Sequence, residues 1–134
     1  MAQLTISEVA RQVGIRPSAI RYYEQRQVLP PAPRVSGQRR YGDLTVYRLA
    51  VVRRAQEAGF SLDEIRQLFF GFREGMPISQ RWQKLAQGKI GELDARMAQI
   101  QSMKDLLERL RTCCRCETVE QCGAGILGRR GRAV

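Results

Sequence analysis

The sequence contains no histidine, and its four cysteines all lie between Cys113 and Cys122. The first absence removes imidazole both as a metal ligand and as a general base near neutral pH. Any metal bound by this chain would be held by thiolate sulfur, helped by carboxylate or backbone oxygen. Thiolates select soft or borderline ions and leave out magnesium and calcium. Cys113 and Cys116 stand at Cys-x-x-Cys spacing, but no alternating strand–helix pattern accompanies them. A thiol oxidoreductase finds neither its fold pattern nor a histidine base here, and the chain is not expected to be an enzyme. No apolar run is long enough to span a bilayer, so no membrane partner is expected. The opening MAQLTISEVA lacks the basic flank and apolar stretch of an export signal. The expected location is therefore the cytoplasm, where clustered thiols stay reduced for binding or redox work. Disulfides confined to one short segment would restrain almost nothing.

What is present is positive charge. The 134 residues carry a formal net charge of +10. A surplus that large favours a polyanionic partner, most simply nucleic acid. It is spread evenly over the two halves of the chain, so charge alone does not locate a binding face. The length suits one domain, or one domain with an extended appendage.

Local patterns give the order of parts. Thr5 and Glu8 form a Thr-x-x-Glu capping box that opens a helix with Ile6, Val9, Ala10 and Val13 on one face. Gly14 stops it, and Pro17 suits the first position of a second helix that repeats the apolar spacing at Ile20, Tyr23 and Val28. Two short helices joined by a turn containing Gly have the pattern of a helix-turn-helix. The stretch LPPAPRVSGQRRYGD cannot be regular helix. Its tip reads as a β-hairpin around Ser36-Gly37, and Arg34, Arg39 and Arg40 suit it to grip phosphate as a wing. Asp43 is expected to cap a third helix through Ala58. Ser61 and Glu64 form a second capping box, opening a fourth helix with Leu62, Ile65, Leu68 and Phe69 inward.

From Ile78 to about Arg111 there is no proline, and apolar residues recur at Ala86, Ile90, Leu93, Met97, Ile100 and Leu107. Lys104 takes one position of this seam, with Met103 beside it. Roughly 30 helical residues make a rod of about 45–50 Å. A narrow apolar seam on such a rod is expected to pair with a second copy. Gly88 and Gly91 each cost roughly 1 kcal/mol inside a helix, and mark close backbone approach or a bend.

TISEVARQVGIRPSAIRYYEQRQVLPP, SGQRRYGDLTVYRL and AGFSLDEIRQLF, followed by a long helix and a cysteine segment, resemble the MerR family of bacterial transcription regulators over about residues 4–122. The resemblance implies a mainly α fold. A winged helix-turn-helix would occupy residues 1–76, an antiparallel coiled-coil dimerisation helix 77–111, and a cysteine-rich effector loop with a basic tail 112–134. It implies a homodimer on a palindrome in double-stranded promoter DNA, which distorts the DNA on effector binding so that RNA polymerase can engage. Shape-based control of this kind works through deformation energies of a few kcal/mol. Carried over by residue, Arg16, Ser18, Arg21 and Tyr22 would face DNA from the recognition helix, and Arg39, Arg40 and Tyr41 would hold the backbone from the wing. Tyr23 belongs instead to the core, and Glu24 pairs with a nearby arginine.

For the effector, the resemblance offers alternatives. Cys114 and Cys122 enclose seven residues, as in the copper(I)-sensing members, and Ser79 suits that pattern. Cys113 and Cys116 are additional, and suit a three-coordinate site for a larger thiophilic divalent ion. The redox branch holds a [2Fe–2S] cluster with Cys-x2-Cys-x-Cys-x5-Cys. Cys114, Cys116 and Cys122 match its last three positions, but the first falls on Arg111, so Cys113 would have to serve. Reversible thiol oxidation and a structural zinc are further readings, and Cys113 also suits packing as a small apolar residue. Arg115, between Cys114 and Cys116, is expected to lower the thiol pKa values. The Gly- and Arg-rich stretch after Cys122 reads as disordered toward its end.

Overall fold

The computed structural model describes residues 3–132, with side chains through residue 128. The elements run α1 (Ile6–Val13), α2 (Pro17–Gln25), β1 (Arg34–Val35), β2 (Gln38–Arg39), α3 (Asp43–Glu57), α4 (Leu62–Phe70), α5 (Ile78–Cys113) and α6 (Val119–Arg132). The chain divides into two compact units between Lys89 and Ile90. Among the described residues no helix is long and apolar enough to cross a membrane.

The N-terminal unit is built as its local signals dictate. Thr5 accepts from the Glu8 amide while the Glu8 carboxylate accepts from the Thr5 amide, so two backbone donors at the start of α1 are satisfied reciprocally. Ser61 and Glu64 do the same for α4. At the end of α1, Gly14 adopts a left-handed φ of 79°. A Cβ there would stand 3.1 Å from the Arg53 guanidinium, which donates to the Val13 carbonyl at 2.6 Å. Glycine is thus required twice, by conformation and by the arginine from α3 that caps the helix. Pro17 opens α2 as its fixed φ favours. The α3 start differs from the sequence expectation. Gly42 is the N-cap, with no side-chain bond, and Asp43 is the first helical residue. Its carboxylate supports the helix through the positive N-terminal dipole instead.

Apolar faces of α1 to α4 meet in one core containing Val9, Ile20, Tyr23, Leu49, Val52 and Ile65, all buried. Tyr23 keeps its hydroxyl bonded to Gln56 at 3.2 Å, as a buried phenol needs. The first turns of α5 join this core through Trp82 and Leu85. Arg81 donates to the Leu68, Phe69 and Met76 carbonyls, capping the end of α4. Lys89, 10% exposed, pairs with Glu64 at 3.0 Å and lies over the Phe60 ring. Among the described residues, no buried side-chain nitrogen or oxygen lacks a partner.

The C-terminal unit is different in kind. No residue of α5 is buried, and Ile90, Leu93, Met97, Ile100 and Leu107 of the expected seam are all exposed. A Cβ added at Gly88 or Gly91 would meet nothing within 4 Å, so neither marks close approach to another part of this chain. The segment expected to be loop and disordered tail is mostly helix. After Cys113 a short connector leads into α6, which runs to Arg132, and at this end Ala133 and Val134 fall beyond the described residues. Thr118 explains the start of α6. Its hydroxyl accepts from the Gln121 amide, and the Gln121 side chain accepts from the Glu117 amide.

Candidate functional site

The first candidate is the basic face of the N-terminal unit. Arg16 is the N-cap of α2, and Ser18, Arg21 and Tyr22 stand exposed on its outer side. Tyr22 accepts a long hydrogen bond from Arg26, whose guanidinium also lies over its ring. Arg26 in turn reaches Asp63 at 3.4 Å. The wing is a two-residue hairpin, with Arg34 opposite Arg39 and Val35 opposite Gln38. Ser36 and Gly37 at its tip have φ of 52° and 80°, the left-handed pair that a type I′ turn demands. A cleft of about 490 Å³ lies between the start of α1, α2 and the wing, lined by Thr5, Ser7, Arg21, Arg34, Gln38 and Arg39 among others. Three guanidiniums around one cleft make it attractive to phosphate oxygens.

The wing's inner side is where the sequence reading needs correction. Tyr41, expected to donate to the DNA backbone, is 2% exposed and belongs to the core. Its hydroxyl donates to Glu24 at 2.7 Å, and its backbone bridges Leu4 in both directions at 2.8 Å. Burial, then the Glu24 carboxylate, push its phenol up to about 12. Arg39 pairs with the same Glu24 oxygen at 3.2 Å, which fulfils the expectation that Glu24 pairs with an arginine. Arg39 remains 36% exposed and retains further N–H donors toward the cleft. Arg40 is half-buried. A tyrosine after two arginines reads as one basic grip, yet only the arginines keep polar groups available outward. Leu4, which anchors the wing, carried no signal of that role in the sequence.

The second candidate is the thiol cluster of the C-terminal unit. Cys113 ends α5, Cys114 and Cys116 sit in the connector, and Cys122 lies in the first turn of α6. All four line one cleft of about 780 Å³, with Leu106, Leu110 and Ile126 among its apolar walls and Arg109 and Arg115 at its polar side. None is in a disulfide. Cys113, Cys114 and Cys116 are exposed and Cys122 half-buried. The packing role considered for Cys113 is therefore not the one it has. Its thiol meets the Thr112 hydroxyl at 3.5 Å.

The Cys116 thiol is pushed up, not down. Loss of water is the main cause, followed by hydrogen bonds and like charge from Cys114 and Cys122. Arg115 was expected to act in the opposite direction, but its guanidinium donates to the Thr112 carbonyl at 3.2 Å. These thiol hydrogen bonds link Cys116 to both Cys114 and Cys122. Among the described residues, however, no three Cys, Asp or Glu side chains form a closed ligand group. The donor chemistry suits a soft cation, and binding one would require the thiols to draw closer.

Comparison with known proteins matches most of the chain to one family. Residues 4–70 match the model described as "MerR HTH family regulatory protein", and residues 46–110 the one described as "MerR, DNA binding". The chain is 35% identical over 120 residues to the Heavy metal-dependent transcription regulator 2 of Rhizobium meliloti, covering 89% of this chain and 82% of that one. It is 34% identical to the transcriptional regulator ZntR of Escherichia coli, covering 81% and 79%. Among solved structures it resembles the transcription regulator PbrR691 of Ralstonia metallidurans, in complex with lead(II). The TM-score is 0.70 at 27% identity, over 90% of this chain and 94% of that one. These relatives are named as transcription regulators. The capped helix-turn-helix, the arginine-bearing wing and the long helix thus stand in a chain that belongs to the MerR family of DNA-binding transcription regulators.

Proposed function

We propose that this chain is a metal-responsive regulator that binds promoter DNA as a homodimer, with a soft metal ion held by its C-terminal cysteines as effector. The observation that carries this reading is the gathering of every cysteine of the protein into one cleft, with Cys116 hydrogen-bonded to Cys114 and Cys122. Relatives named for heavy-metal dependence and for a lead(II) complex support it. Cys114, Cys116 and Cys122 are the ligand set, and Cys113 is the reserve donor beside them. Those thiols would hold a soft cation, whose positive charge would favour their thiolate forms. The residues around it do the rest. Leu106, Leu110 and Ile126 limit water on one side, and Arg109 stands at the polar side of the cleft.

On the DNA side, Arg16, Ser18, Arg21 and Tyr22 approach bases and backbone from α2. Arg34, Arg39 and Arg40 hold phosphates from the wing, and Tyr41 acts indirectly by holding the hairpin. The exposed seam of α5 is the dimer surface, since eight exposed apolar residues from Ile90 to Leu110 gain most from a second copy of themselves. Effector binding then changes the dimer and with it the DNA distortion that admits RNA polymerase.

The four sulfurs in one cleft also match the number a [2Fe–2S] cluster requires, which sustains a redox-responsive second reading. One preparation separates the two. Protein purified without oxygen is analysed for iron, sulfide and other metals while its absorbance spectrum is recorded. A colourless protein that takes up copper(I) or a thiophilic divalent ion, and fails to do so as Cys114→Ser, supports the metal reading. Visible bands with stoichiometric iron and sulfide overturn it in favour of the cluster.

A further inference from the structure

Glu24 sits in the last turn of α2, the helix that presents Arg21 and Tyr22, yet its side chain is only 7% exposed. One carboxylate oxygen accepts from the Tyr41 hydroxyl at 2.7 Å and from Arg39 at 3.2 Å. The other accepts from the Ala32 amide at 3.3 Å. These partners lie at three places around the wing: just before β1, at the end of β2, and just beyond it. Among the described residues, these are the hydrogen bonds that join α2 to the wing.

The wing needs such an anchor. It is a hairpin of two paired residues per strand, and a hairpin that short has no stability of its own. Val35 at its tip is exposed, so apolar packing does not hold the far end. A carboxylate accepting three hydrogen bonds, one from a guanidinium, is a strong local tie. It also uses the inward side of Arg39 and the whole donor capacity of Tyr41, leaving Arg34 and the outer face of Arg39 for a ligand.

We infer that Glu24 is a positioning residue for DNA binding, whose carboxylate fixes the wing at a set offset from the recognition helix so that both reach the duplex in one register. The inference rests on the assignment of α2 and the wing to DNA. It predicts that an acidic residue on a phosphate-binding face raises affinity for a polyanion, opposite to its simple Coulomb effect. The raised phenol of Tyr41 agrees, because the hydroxyl keeps its proton and the tie persists across the neutral range.

The test uses the full chain and a duplex selected by the wild-type protein from a random pool. Binding is measured for Glu24→Ala, Glu24→Gln and Tyr41→Phe against salt, with phosphate ethylation interference and guanine methylation protection on the complexes. Glu24→Ala is expected to bind about 10–100-fold more weakly, as loss of a charged hydrogen-bonding centre implies. The slope of log K on log salt should fall by about 0.9 for each wing phosphate lost. Phosphate interference at the wing should fade while guanine protection under α2 persists. Glu24→Gln should fall between, since it keeps an acceptor for Tyr41 but loses the charge facing Arg39. Tyr41→Phe, which removes one bond and keeps the packing, should shift the same phosphates by a smaller factor. Unchanged slope and footprint in Glu24→Ala and Tyr41→Phe would overturn the inference. So would uniform loss of phosphate and guanine contacts in Tyr41→Phe, which marks a role in overall folding only. If the wild type selects no duplex, the assignment of this face to DNA falls as well, a result distinct from either.

Discussion

The two units of this chain answer the same chemistry in opposite ways. From Leu4 to Lys89, apolar faces are buried, helix ends are capped and buried polar groups are paired. From Ile90 onward, the apolar side chains of α5 are exposed and three of the four thiols face water. The first unit holds together by itself. The second leaves its apolar seam and its thiols open, which is what the proposed pairing with a second copy and binding of a cation would use. The difference teaches where regulation can enter. A finished core transmits a change but does not originate one, whereas an unfinished surface has states to choose between.

Mutations should expose this contrast. The largest effect is expected at the seam. Ile100→Glu places a charge among the exposed apolar residues of the proposed dimer seam, and on that proposal should give a monomer at micromolar concentration. Sedimentation or light scattering checks this, and circular dichroism should show the N-terminal unit still folded. Next comes the core. Leu49→Ala, at a fully buried position, should cost about 2–5 kcal/mol in thermal or denaturant unfolding. The same truncation at exposed Met97 should leave the unfolding of the N-terminal unit nearly unchanged. Recognition-helix contacts follow. Arg21→Ala should weaken binding to a selected duplex by roughly 10-fold, in line with about 1–3 kcal/mol for an arginine contact, with the dimer intact.

The smallest effect is in acid. Glu8 and Glu64 are held below the usual carboxylate value, each chiefly by the backbone amide of its own cap residue, Thr5 or Ser61. Lowered carboxyls stabilise the fold fully above the unfolded value of 4.5 and lose that contribution as pH falls through their folded values. Glu8→Gln and Glu64→Gln should therefore flatten the acid limb of the stability curve, and leave a seam variant's dimer defect untouched.

The legible parts of the fold were those set by neighbours in sequence. Thr5 with Glu8, Ser61 with Glu64, Gly14 and Pro17 act over three or four residues, and each forms the cap or turn its chemistry dictates. The α5 seam was legible because its period persists along the whole helix. Tyr41 was misread because its partner, Glu24, lies 17 residues away, and adjacency to Arg39 and Arg40 suggested a shared outward role. Helix α6 was missed because Gly123, Gly125 and Gly128 argue against helix at about 1 kcal/mol each. The contrary signal was present in Thr118 and Gln121, spaced as a cap and its third residue. The cysteines were legible as a cluster, but their contacts were not. Cys116 lies in a local environment of sulfur, and Arg115 turned to the backbone instead.

The most direct test joins the two units. Transcription in vitro is measured from a promoter carrying the duplex selected by the wild-type protein, with purified RNA polymerase, as copper(I), cadmium, lead or zinc is added under reducing conditions. Wild-type protein should change transcript yield with at least one of these ions, while Cys114→Ser and Cys122→Ser should bind the same DNA and give no response. An equal response in wild type and both cysteine variants, or no response to any thiophilic ion by a protein that binds the promoter, would contradict the metal-responsive reading.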